Sequence, residues 1–125
     1  MPDGHSVITR AWSSRGRSAM PETIPEAIVV VTEAFEGVAV DRWARLIAET
    51  VALAPRRLIV DLRASPVLDA AAIAVLLRAH RTMMHTGGRL TLRGPAHRVR
   101  RILRLARLDH VFDTEDADPA EAMNT

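Results

Sequence analysis

The sequence predicts an α/β domain in which a mixed sheet of about four strands has helices packed on and around it. The first observation is length, because 125 residues form one core of ordinary size and leave no room for a second. The second is composition, since 48% hydrophobic and 26% charged residues are typical of globular chains. The third is order: short β-branched runs alternate with segments of helical periodicity, which favours right-handed crossovers between parallel strands.

The first 26 residues form the least regular segment of the chain. Three prolines interrupt residues 1–26, and only residues 6–12 alternate well enough to predict a short edge strand. The main domain is predicted over residues 27–112. The acidic, apolar-poor residues 113–125 are predicted to form a flexible tail.

The main domain begins with a strand, a helix and a second strand. Residues 27–32 are a β-branched run, which indicates a buried strand. A helix is predicted over residues 41–53, with Asp41 as its N-cap and Pro55 after its end. Residues 57–62 are predicted to form the second buried strand. The predicted buried face of the helix consists of Trp43, Leu46, Ile47 and Val51.

The longest helix signal follows a loop that ends at Asp69. Residues 70–85 have helical periodicity, and the pair Gly87 and Gly88 terminates the helix. Residues 89–94 then predict the third core strand. The predicted apolar stripe of this helix consists of Ile73, Leu76, Leu77, His80 and Met84.

A last helix is predicted to begin at Pro95, which suits the first turn of a helix. Residues 108–112 then return the chain to the body of the domain. The predicted buried face of this helix consists of Val99, Ile102, Leu103 and Ala106.

Composition and motifs exclude several classes of function. The chain has no cysteine, which removes disulfides, thiolate metal sites and cysteine nucleophiles. It has no glycine-rich phosphate loop and no nucleophile-elbow serine, and its five histidines are scattered without metal-ligand spacing. No apolar run approaches the roughly 20 residues of a membrane span. We therefore expect no catalytic residue, metal or cofactor and no membrane insertion, and the lack of cysteine fits a reducing cytoplasm.

The junction before the longest helix is the most informative stretch. A buried strand ends near Asp61, a short loop follows, and Asp69 immediately precedes the helix. Such a junction exposes unsatisfied backbone N–H groups and the positive end of the helix dipole, where a phosphoryl group is electrostatically favoured. The simpler interpretation is that Asp69 only caps the helix.

The same stretch resembles the STAS domain of anti-sigma factor antagonists. That family has a strand ending in a V-D-L-like triplet, a loop, and then Asp-Ser-Ser/Ala-Gly at the start of a helix. Here the triplet is residues 60–62, the aspartate is Asp69, and residues 87–112 are similar to the family's third core strand, last helix and closing segment. Glu36 stands where the family's upstream Gly-Glu-Leu-Asp motif has aspartate. The resemblance covers residues 27–112 and implies a STAS-like (SpoIIAA-like) fold.

The sequence departs from the family at the residue that a partner kinase phosphorylates. In the family that residue is typically serine or threonine, and here it is Ala70, which has no hydroxyl. Ala71 and Ala72 follow, so the helix begins with small residues that phosphorylation cannot switch, although alanine is also simply a strong helix former. Ser65 is an alternative phosphosite in the same loop, and it is also an ordinary turn residue.

The resemblance implies a bacterial signalling protein that takes part in transcription regulation. Such a protein binds an anti-sigma factor with a histidine-kinase-like ATPase fold and thereby releases a sigma factor. Without a phosphoacceptor, this chain is expected to act constitutively or under another control, and a homodimer is left open. The partner-binding residues that the resemblance implies are Glu36, Ser65, Asp69, Ala70, Ala71, Ala72 and Ile73.

Two other functions are left open. The 17 basic residues are all arginine, and six of them cluster around the last helix, which suits a nucleic-acid-binding module. Two rows are predicted on this helix: Arg100, Arg104 and Arg107 on one face, and Arg98 and Arg101 on a second. Aromatic residues make up only 3% of the chain and the net charge is +2, so a solvated face is favoured and no nucleic-acid partner is expected. The other function is a STAS subunit of a larger transporter or stress-signalling complex. The arginines concerned are Arg93, Arg98, Arg100, Arg101, Arg104 and Arg107.

Overall fold

Five strands and three helices make up the described part of the chain. The structure, a computed structural model, describes residues 6–10 and 24–116. Along the chain the elements are β1 (Ser6–Arg10), β2 (Glu26–Val30), α1 (Ala39–Val51), β3 (Arg57–Asp61), α2 (Ala70–His85), β4 (Arg89–Arg93), α3 (His97–Leu105) and β5 (Asp113–Glu115).

The strands form one mixed sheet in the order β1-β2-β3-β4-β5. Strand β1 is antiparallel to β2, and the other neighbours are parallel. The register aligns Ile28 with Ile59 and Ile59 with Thr91. Because successive parallel strands lie side by side, right-handed crossovers place α1, α2 and α3 on one face of the sheet. The predicted α/β fold with a mixed sheet is therefore confirmed.

The hydrophobic core lies between that face and the helices. Alternate strand residues point toward it because side chains along a strand alternate between faces. Helix α1 contributes Trp43, Ile47 and Val51, which are buried as predicted, while Leu46 is half-buried. The strand residues of this core include Ala27, Val29, Leu58, Val60, Leu90 and Leu92.

Helix α2 has the predicted ends but a different buried face. Of the predicted stripe, Leu76 is fully buried, whereas Met84 is 59% exposed and His80 is half-buried. The face is rotated because α2 packs against both α1 and the sheet, and alanine side chains allow this close approach. The buried residues of α2 are Ala72, Val75, Leu76, Ala79 and Met83.

The starts of two helices differ from the prediction. Helix α1 begins at Ala39, so Asp41 lies in its first turn and is not the N-cap. Helix α3 begins at His97, two residues after Pro95. Its predicted buried face is correct at Val99 and Leu103, whereas Ile102 is half-buried and Ala106 lies exposed beyond the helix.

Strand β5 lies inside the segment that was predicted to be a flexible tail. It pairs with β4 in parallel, and three ion pairs hold it to the sheet: Arg89 with Asp113 at 3.0 Å, Arg93 with Glu115 at 3.2 Å and Arg57 with Glu115 at 3.4 Å. The prediction was wrong for Asp113–Glu115, because the sequence pattern within one segment does not show which ion pairs it forms with a strand elsewhere in the chain. The rest of the predicted tail, from residue 117, lies outside the described residues, as does most of the predicted N-terminal segment.

Candidate docking site

Two loops meet at the carboxyl edge of the parallel strands. The loop after β2 runs beside the loop after β3 and forms a parallel bridge between Phe35 and Leu68. The Phe35 N–H donates to the Val67 carbonyl at 3.0 Å, and the Asp69 N–H donates to the Phe35 carbonyl at 3.2 Å. Phe35 and Leu68 are both buried, which anchors the loops in the core. The start of α2 is therefore held against the start of α1.

The Asp69 carboxylate connects the two helix starts. Its Oδ1 accepts from the Ala72 N–H at 2.8 Å, which is N-capping of α2, and its Oδ2 accepts from the Gly37 N–H at 2.9 Å. Gly37 has φ of +60°, a left-handed conformation that glycine adopts without strain. The hydrogen bonds from Gly37 and then Ala72 favour the charged form, so they lower the pKa of Asp69 below its ordinary value. The predicted capping role of Asp69 is confirmed.

The first turns of α2 present a neutral surface of small residues. Ala70, Ala71 and Ala74 are exposed, and Ile73 is half-buried against the core. No hydroxyl occupies the first two helical positions, so no phosphoester can form there. We call Ala70, Ala71, Ala74 and the exposed part of Ile73 the alanine surface.

Two of the predicted partner-binding side chains are buried instead. Ala72 has no exposed surface because it faces the helix–sheet core, and only its N–H takes part in the site, by donating to Asp69. Ser65 is also fully buried, because the chain turns sharply there and its N–H donates to the Leu62 carbonyl at 3.0 Å. The structure therefore contradicts a partner contact by either side chain.

An ion pair between the buried Asp61 and the exposed Arg63 shapes the beginning of the same loop. Asp61, only 2% exposed, accepts from the Arg63 N–H at 3.0 Å and from its guanidinium at 2.7 Å. A buried carboxylate is stable only when it is paired and hydrogen-bonded, and Arg63 supplies both kinds of contact. The aspartate of the V-D-L-like triplet therefore directs the chain from β3 into the loop.

Sequence reasoning missed Val38. This residue directly follows Gly37 and is 96% exposed, next to the exposed Glu36. The signal that could have found it is a β-branched apolar residue directly after a glycine, in the predicted connector before the helix. The structure thus brings Glu36, Val38, Asp69 and the alanine surface to one edge of the sheet.

The structure shortens one of the two predicted arginine rows, whereas Arg98 and Arg101 both lie on α3 as predicted. Arg107 lies beyond the helix with φ of +62°, so the predicted row of Arg100, Arg104 and Arg107 ends at Arg104. Arg100 pairs with Asp116 at 2.7 Å. Three other arginines of α3 are exposed and have no ion pair in the described part of the chain: Arg98, Arg101 and Arg104.

The described residues contain no group of three or more histidine, aspartate or glutamate side chains placed to hold a metal ion. Among the helices that the structure describes, none has the length and apolarity to cross a membrane.

The fold and the site define a small α/β domain whose carboxyl edge carries a helix start fixed by an aspartate. The chain belongs to the STAS domain family, whose model matches residues 18–120. This match extends beyond the predicted boundaries of residues 27–112 on both sides. No curated protein sequence matches the chain.

Several solved structures share the fold. An anti-sigma factor antagonist from Mycobacterium paratuberculosis superposes with a TM-score of 0.67 at 19% identity, over 95% of this chain and 92% of that one. The anti-sigma factor antagonist SpoIIAA in its unphosphorylated form gives 0.63 at 15% identity, over 94% of each chain. A STAS domain protein from Planctomyces limnophilus, also an anti-sigma factor antagonist, gives 0.60 at 15% identity, over 94% and 98%. At these identities the similarity establishes the fold.

Proposed function

We propose that this STAS domain is an anti-sigma factor antagonist that works in the bacterial cytoplasm. It binds an anti-sigma factor with a histidine-kinase-like ATPase fold and so releases a sigma factor, without catalysis of its own. The observation that carries the proposal is the helix start where Asp69 fixes the backbone and Ala70 and Ala71 are exposed and neutral. The three structural relatives are named as antagonists of this class, which supports the same role.

The physical basis is close approach without charge. A methyl group is the smallest side chain that keeps a helix stable, so the backbone of a partner can approach the start of α2 closely. In a switchable protein, phosphorylation adds roughly −1.5 to −2 charges at this position, and an uncompensated charge there disfavours docking. Because Ala70 accepts no phosphoryl group, this form of control is absent at the site. We propose that the protein acts constitutively and that its abundance sets the response.

Displacement of a sigma factor tests the function. Each ATPase-type anti-sigma factor of the source organism is purified as a complex with its fluorescently labelled sigma factor, and the chain is added. For one pair we expect fluorescence anisotropy to fall as the sigma factor is released. The same titration with Ala70→Glu should leave the complex intact. If the chain displaces no sigma factor, the function is wrong, and a STAS subunit of a transporter or stress-signalling complex becomes the better interpretation.

The exposed arginines of α3 support a second candidate, a nucleic-acid-binding module. Arg98, Arg101 and Arg104 present three charges on a short helix without acidic partners in the described residues. Binding through such charges weakens steeply as salt rises. A mobility-shift assay with duplex and single-stranded DNA and RNA at low salt tests it, and the absence of a shift would rule the candidate out.

A further inference from the structure

We infer that Val38 is the apolar anchor of the docking site and that it enters a pocket of the partner. This inference rests on the proposed function, because it concerns the same edge of the domain. The partner chemistry is an apolar pocket of about the size of an isopropyl group with basic residues at its rim. Val38 would thereby determine which anti-sigma factor the domain selects.

The first observation is exposure. Val38 is 96% exposed, compared with 52% for Leu53 and 75% for Leu105, two other exposed large apolar residues. An isolated exposed apolar side chain is ordinary on a protein surface, so exposure alone does not mark a site. The exposure of Val38 indicates a docking contact because the residue lies beside the alanine surface and its backbone is held in place.

The second observation is rigidity. The Gly37 N–H that precedes Val38 is held by Asp69 at 2.9 Å, and the Val40 N–H donates to the Gly37 carbonyl at 3.1 Å. Val38 itself has helical backbone angles, with φ of −66° and ψ of −21°. A β-branched side chain also has few rotamers. Docking of Val38 therefore costs little conformational entropy, which is a property of good anchor residues.

The third observation is that the fold makes no use of the Val38 side chain. Val38 makes no side-chain capping hydrogen bond, and the N–H groups of Ala39 and Val40 donate to the Glu36 and Gly37 carbonyls at 3.2 Å and 3.1 Å. Valine at this position gives neither capping nor core burial to the fold. An apolar side chain that the fold does not use is available for contact with a partner.

The fourth observation is continuity with the alanine surface. The Asp69 carboxylate that holds Gly37 also caps α2, so one side chain fixes the positions of Val38 and Ala70 relative to each other. Glu36 and Asp41 flank Val38 in sequence, are exposed and have no ion pair in the part of the chain that the structure describes. Their charges are complementary to a basic rim around the pocket of the partner.

The experiment measures affinity for the anti-sigma factor that the displacement assay identifies. Val38→Ser removes the apolar group and should weaken binding at least about tenfold, as expected for an anchor residue. Leu53→Ser is the matched control, because Leu53 is also exposed and follows the opposite end of α1. This variant should bind the anti-sigma factor with the affinity of the parent. Both variants should keep the melting temperature of the parent. Asp41→Asn should reduce the salt dependence of the association constant.

The outcomes separate the two proposals. If Ala70→Glu abolishes binding while Val38→Ser binds like the parent, the role of Val38 is wrong and the proposed function stands. If Val38→Ser weakens binding no more than Leu53→Ser does, the role of Val38 is also wrong. If no ATPase-type anti-sigma factor binds the parent chain, both proposals are wrong.

Discussion

At the scale of single residues, Asp69 has the largest effect on the geometry of the site. Its two carboxylate oxygens accept from backbone N–H groups at the starts of α1 and α2, so the relative position of both helix starts depends on one side chain. Asparagine could replace only one of these contacts, because it offers one acceptor oxygen. The docking edge is therefore expected to be more sensitive to Asp69 than the rest of the fold is.

Replacement of Asp69 by alanine should lower the melting temperature by about 4 °C through the loss of N-capping. It should also weaken anti-sigma factor binding, because Gly37 and Val38 lose their fixation. Circular dichroism and binding titration measure the two effects. The matched control is Asp41→Ala, in the first turn of α1, which should change the melting temperature little. Equal effects of the two variants would contradict the capping account.

The charge of Asp69 also predicts how stability depends on pH. The N–H groups of Gly37 and Ala72 lower the pKa of Asp69 in the folded state, relative to about 3.9 in the unfolded chain. The stabilisation is therefore complete above the unfolded pKa and is lost as the pH falls through the folded pKa. Urea unfolding at a series of pH values from 7 downwards measures the free energy of unfolding of the parent and of Asp69→Asn. The difference between these two free energies should stay constant until about pH 4 and should shrink below that pH. A difference that is constant to the lowest pH would contradict this.

Ser65 gives a prediction of the opposite sign. Its hydroxyl oxygen is buried and has no hydrogen-bond partner in the described residues, and an unsatisfied buried polar atom destabilises a fold. Ser65→Ala should therefore raise the free energy of unfolding by about 1 kcal/mol, measured by urea denaturation. A loss of stability would mean that the hydroxyl makes a stabilising hydrogen bond. Because the Ser65 side chain is fully buried, a kinase would reach its hydroxyl only if the loop opened.

At the scale of elements, local signals predicted the positions of helices and strands, but not every helix face. The ends of α2 were predictable because Asp69 caps it and glycines follow it. Its buried face was not, because periodicity gives weight to large apolar residues such as Met84 and overlooks alanines that pack closely against α1. Strand β5 was missed because it depends on pairing with β4 and on ion pairs between strands.

The turn between α2 and β4 yields a paired prediction. A Cβ on Gly88 would lie 2.9 Å from the Pro55 carbonyl oxygen and 3.0 Å from that of Arg56, and backbone atoms cannot easily move away. Gly88→Ala should therefore cost about 1–3 kcal/mol by overpacking. A Cβ on Gly87 would meet no atom within 4 Å, so Gly87→Ala is destabilised only by the backbone strain of alanine at φ of +81°. This strain should cost about 1 kcal/mol. Denaturant unfolding that ranks Gly87→Ala as the more destabilising variant would contradict the packing.

At the scale of the whole molecule, the sheet topology brings the site together. Parallel strands place the loops after β2 and β3 at one edge, so Glu36 and Asp69, far apart in sequence, become neighbours of the same surface. The residue types of the site were visible in the sequence, including the missing hydroxyl at Ala70. Their exposure was not, because the burial of Ser65 and the exposure of Val38 depend on how distant segments pack.

The neutrality of the helix start is the property on which the proposed function depends most. The most direct measurement is the affinity of the anti-sigma factor for Ala70→Glu, with Ala48→Glu on the exposed side of α1 as the matched control. We predict that Ala70→Glu binds at least about thirtyfold more weakly than the parent, because a carboxylate is then buried at the interface without a partner. Ala48→Glu should bind like the parent. Parental affinity for Ala70→Glu would contradict the proposal that the partner docks on this surface.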